Sequence, residues 1–80
     1  MTAQNAQPST ATPATQGSFH WVLTLEVPGR ITATQFGTWN VRPGSTRHDV
    51  FLAIRQEVAG RYPELANANV MFFALEPNQL

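Results

Sequence analysis

The 80-residue chain contains neither cysteine nor lysine. Without cysteine it has no disulfide framework, no thiolate zinc site and no cysteine nucleophile. Charge is also scarce: five Arg face five acids, for a net charge of zero. A protein built around phosphate backbones usually carries a clear basic excess, so neutrality disfavours nucleic acid as the partner. The longest apolar run, Val70–Leu75, falls far short of the roughly 20 residues that a spanning helix needs. The first ten residues, MTAQNAQPST, show neither the positive n-region nor the apolar h-region of a secretion signal. A cytoplasmic location is therefore the expectation, with no membrane partner. Phosphate loop, hydrolase elbow and paired catalytic carboxylates are all missing. The chain reads as non-enzymatic, with no cofactor, no metal and no small-molecule substrate expected. The exclusive use of Arg is what a GC-rich genome produces, and it need not reflect selection for bidentate chemistry.

Residues 1–18 are rich in Thr, Ala, Gln, Pro and Ser and carry no charged or aromatic side chain. Such a segment buries too little apolar area to offset about 1–2 kcal/mol per residue of backbone ordering. It is expected to be a disordered tail, leaving residues 19–80 as one domain. A body this small encloses only about 60% of its unfolded surface. With neither disulfide nor metal as a staple, oligomerisation is the common remedy.

Residues 19–27, FHWVLTLEV, alternate cleanly, with Phe19, Trp21, Leu23, Leu25 and Val27 on one face. Period two with large apolar residues on one side predicts a half-buried strand. Pro28-Gly29 suits the centre of a type II turn. Residues 30–42 resume the alternation and complete a hairpin. Ile31, Ala33, Trp39 and Val41 share one face, and Gly37 suggests a bulge. Thr46-x-x-Asp49 approximates a capping box. Val50, Phe51, Ile54 and Val58 follow at 3–4 residue spacing, so a helix is expected over about 46–60, ended by Gly60 and Pro63. In the loop 61–68, Leu65 is the expected anchor. Residues 69–75, NVMFFAL, form a third strand that is apolar on both faces. The predicted fold class is α+β, in β-β-α-β order: a three-stranded antiparallel sheet of order 2-1-3 with one helix packed on one face. Trp21, Leu23, Leu25, Ile31, Trp39, Phe51, Ile54 and Val58 are the predicted core.

The hairpin HWVLTLEVPGRITATQF, the helix start STRHDVFLAIRQEVAG and the Pro-containing loop into NVMFF resemble the opening two-thirds of a ubiquitin-like β-grasp fold. The chain ends Glu76-Pro77-Asn78-Gln79-Leu80. It thus departs from the terminal Gly-Gly that conjugation or sulfur transfer needs, and it has no fourth or fifth strand. What the resemblance implies is a non-catalytic interaction module.

One helix covers only one face of such a sheet. The other would expose Val22, Phe36, Met71, Phe73 and Leu75, a contact face for a second copy or another protein partner. Val70, Phe72 and Ala74 would exchange roles with Met71, Phe73 and Leu75 under a one-residue register change. The alternative reading is a nucleic-acid-binding accessory protein. In it, Phe36 with Phe72 or Phe73 stacks bases, and Arg30, Arg42, Arg47 and Arg55 contact phosphates. His48-Asp49 reads as a helix cap with an exposed imidazole. A zinc site would require the fold to bring His20 and His48 together.

Overall fold

The computed structural model describes residues 16–80, with strands β1 (Phe19–Val27), β2 (Ile31–Trp39) and β3 (Asn69–Pro77). Helix α1 (Arg47–Arg61) separates β2 from β3, and a 3₁₀ turn at Pro63–Leu65 follows it. The sheet order is β2-β1-β3 with both pairings antiparallel. This is the predicted α+β arrangement in β-β-α-β order. The expected tail falls mostly in residues 1–15, outside the described residues. Its last residues are tied down: the Gly17 N–H donates to Thr38 Oγ1 at 2.8 Å, and the Asn78 N–H to the Ser18 carbonyl at 2.9 Å. Asn78 Nδ2 also donates to Gln16 Oε1 and to the Gly17 carbonyl, joining the start of the domain to its end. At Gly17 an added Cβ would lie 2.5 Å from the Trp39 backbone, so this crossing demands a residue without a side chain.

The β1–β2 turn follows from its sequence. Gly29 has φ 74°, and the Arg30 N–H donates to the Val27 carbonyl at 3.0 Å, as a type II turn requires. The bulge suggested by Gly37 is not there, because β2 pairs with β1 without a break from Ile31 to Trp39. Instead, Gly37 sits opposite Trp21, whose indole lies 3.4 Å from where a Cβ would be. The ring covers the bare backbone of this edge strand, and the glycine makes space for the ring.

The bulge is in β3. Leu25 pairs with Val70 and Thr24 with Phe72, which leaves Met71 without a partner. Two residues against one shift the alternation by a step. Phe73 and Leu75 therefore stand opposite Leu23 and Trp21 on the helix side, while Phe72 and Ala74 stand opposite Thr24 and Val22 on the uncovered side.

Helix α1 starts where its cap lies. Thr46 Oγ1 accepts from the Asp49 N–H at 3.0 Å, and Asp49 Oδ2 accepts from the Thr46 N–H at 3.3 Å, a complete capping box. The helix runs through Gly60, the expected terminator, to Arg61. Pro63, which lacks an N–H to donate, is what stops it. Val50, Ile54 and Val58 face the sheet and are buried with Trp21, Leu23 and Leu25 of β1 and Leu75 of β3. Full burial of a Leu or Ile side chain contributes about 1.5–3 kcal/mol; Leu23 and Ile54 are completely enclosed. Leu65 anchors its loop as predicted, and Ala68 joins it in the core. Of the predicted core, Trp39 and Phe51 are half-buried against it, and Ile31, beside the turn, is exposed.

Candidate interaction surface

The register arranges the face of the sheet away from α1 as four cross-strand rows. In order they are Thr38–His20–Glu76, Phe36–Val22–Ala74, Thr34–Thr24–Phe72 and Thr32–Glu26–Asn69. Directly opposed residues share a face and pack side by side. The two middle rows make an apolar band. Phe36 is 72% exposed and Phe72 56%, with Val22 and Ala74 half-buried between the strands. Met71, 58% exposed, lies next to it at the bulge. Within the band, in the row of Phe72, the Thr24 and Thr34 hydroxyls hydrogen-bond across the strands at 2.9 Å. Ionisable side chains in these rows are limited to Glu26, Glu76 and His20.

Of the expected contact residues, Val22 and Phe36 lie on this face. Leu75 does not: it is in the core. Nor does Phe73, which is half-buried and meets Phe51 edge-to-face at 5.0 Å between centroids. Phe72 and Ala74 take their places. The bulge decides this, and no residue in NVMFFAL announces it, since neither Gly nor Pro marks the position.

The loop 61–68 is not a cover for the band. Its anchors Leu65 and Ala68 are buried with Val50, Ile54 and Val58 on the helix side. The four arginines of the alternative reading do not approach the aromatics as a group. Arg30 belongs to the β1–β2 turn, Arg42 to the β2–α1 loop, Arg47 to the first residue of α1, and Arg55 to its middle. Arg55 is half-buried and donates from Nη2 to the Ala68 carbonyl at 2.8 Å.

His20 and His48 do not meet. His20 is on the uncovered face of the sheet, while His48 is exposed on the helix and stacks on Phe51 at 6.4 Å. Glu26 and Glu76 are in different rows and do not pair. Among the described residues no three His, Cys, Asp or Glu side chains gather to hold a metal. Nor is any described helix long and apolar enough to cross a membrane. Clefts open beside α1. One, of about 540 Å³, lies at its start and includes Arg42, Ser45 and Asp49, whose carboxylate is already engaged in the cap. Another, of about 300 Å³, is between β2 and the end of the helix, with Trp21, Gly37 and Tyr62 among its walls. The Trp21 indole N–H is buried there without a partner. Comparison with family models, with curated proteins and with solved structures finds no match.

Proposed function

We propose that this protein is a non-enzymatic interaction module that associates with a second copy of itself. The observation that carries the reading is the band of Phe36, Val22, Ala74 and Phe72, with two aromatic rings more than half exposed. Three nine-residue strands span roughly 14 by 30 Å, about half of one side of a standard interface, so the association is expected to be weak. Four arguments favour a second copy as occupant. The chain is neutral, so two copies do not repel. The domain is small and has no disulfide, and a partner enlarges its core. Residues 2–18 contain no large apolar side chain able to cover the rings. The band also has no arginine in its rows, which argues against the stacking platform of a nucleic-acid binder.

Light scattering after size exclusion, run over a concentration series, tests this. The expected mass is twice 8.8 kDa, falling to the single-chain mass in Phe72→Glu. A wild-type chain that stays monomeric at the highest concentration overturns the proposal. Arg42→Ala and Arg47→Ala address the alternative reading, under which they weaken DNA or RNA binding and flatten its salt dependence.

A further inference from the structure

We infer that the two copies join through β3, edge to edge and antiparallel, to form one continuous six-stranded sheet. This rests on the self-association proposed above and locates its contact at the β3 side of the band, at Phe72 and Ala74, leaving Phe36 and Val22 uncovered. The two edge strands differ in kind. β2 is ITATQFGTW, with three threonines and a glutamine, as suits an edge facing water. β3 is NVMFFALEP, apolar on both faces except at its ends. A strand apolar on both faces belongs inside a sheet covered on both sides. In the single chain β3 is nevertheless outermost, with Val70, Met71 and Phe72 all exposed.

The usual guards of an edge are sparse on β3. It has no Lys or Arg, and its proline is the last residue of the strand. The bulge at Met71 guards only the first part. From Phe72 to Glu76 the strand is regular, and the centre of that stretch is Ala74. Opposed residues of antiparallel strands share a face, so a two-fold axis between identical strands passes through a residue position. Placed at Ala74, it sets Ala74 against its own copy, the smallest side chain where the approach is closest. Phe73 then meets Leu75 of the other copy on the helix side. On the uncovered face Phe72 lies beside Glu76 of the other copy, and the two apolar bands become neighbours in one surface. The second copy satisfies this edge without any further sequence requirement, because each strand supplies the other's partner.

The absence of cysteine from the chain makes single-cysteine probes clean. Opposed Cβ atoms at such an axis stand about 4.5–5.5 Å apart, close to disulfide reach. Full-length Ala74→Cys is expected to convert almost entirely to a covalent dimer under mild oxidation, whereas Thr34→Cys is not. Spin labels at Thr34→Cys give a second readout that needs no change in β3. In the six-stranded sheet β2 and its copy are five strand spacings apart, about 24 Å between backbones. Face-to-face packing instead brings the two sheets to about 10 Å. A dimer mass with the covalent Ala74→Cys dimer and the long spin-label distance supports the inference. A dimer mass with the short distance and no Ala74→Cys dimer overturns the edge geometry and leaves self-association standing. A monomer mass overturns both.

Discussion

Adjacent phenylalanines in β3 offer a sharp check, because the bulge sends Phe72 and Phe73 to opposite faces. Phe73 is half-buried against the core and touches Phe51 edge-to-face at 5.0 Å. Replacing a fully buried Phe by Ala costs about 3–5 kcal/mol. Scaling for the part of Phe73 that water reaches leaves about 2–3 kcal/mol, within which the aromatic pair supplies about 0.5–1.5 kcal/mol. A fold of this size has a total stability of only about 3–9 kcal/mol. Phe73→Ala should therefore lower the melting temperature by roughly 10–20 °C. Phe72, 56% exposed on the other face, should cost less than about 1 kcal/mol in the single chain, in line with exposed substitutions generally. Urea denaturation followed by tryptophan fluorescence, at two protein concentrations tenfold apart, separates folding from association. Phe73→Ala should lose stability at both concentrations, because its ring packs in the fold of the single chain. Phe72→Ala should lose it only at the higher one, where contacts between copies contribute. Equal losses for the two variants at the lower concentration, or a larger loss for Phe72→Ala, would refute the register and the bulge that sets it.

Gly17→Ala places a methyl 2.5 Å from the Trp39 backbone. A forced shift of this kind costs about 1–3 kcal/mol, and calorimetry should show a clearly lower melting temperature; an unchanged one would mean that the chain crosses elsewhere. Thr46→Ala removes the hydroxyl that caps α1 and should cost about 1 kcal/mol, read as a shift of the urea midpoint with unchanged slope. The oligomeric mass of Phe72→Glu reports on self-association; Phe36→Glu, on the far edge strand, should leave the edge-to-edge dimer intact, and oxidation of Ala74→Cys reports on the same geometry.

Much of the architecture is legible in local pattern. β1 alternates without exception, Pro28-Gly29 fits one turn type, and Thr46 and Asp49 cap each other within four residues. These are short-range causes: side-chain periodicity, a positive φ at Gly29 and a reciprocal pair of hydrogen bonds. The helix stripe Val50, Ile54 and Val58 and the anchor Leu65 follow from spacing in the same way. Val22 and Phe36 are legible too, since both lie in the regular hairpin.

What the tertiary structure alone decided is which half of NVMFFAL faces the helix. Both alternating sets are apolar, so hydrophobicity does not choose between them, and a single unpaired residue at Met71 reverses the assignment. Gly37 shows the same limit from the other side. Its local signal suggests a bulge, yet the ring of Trp21 from the neighbouring strand explains it with the register intact. The fate of Arg55, drawn from solvent to the Ala68 carbonyl, likewise depends on a loop 13 residues away. Periodicity along one strand reports how its two faces differ. Where they do not differ, only the pairing with another strand settles which of them is buried.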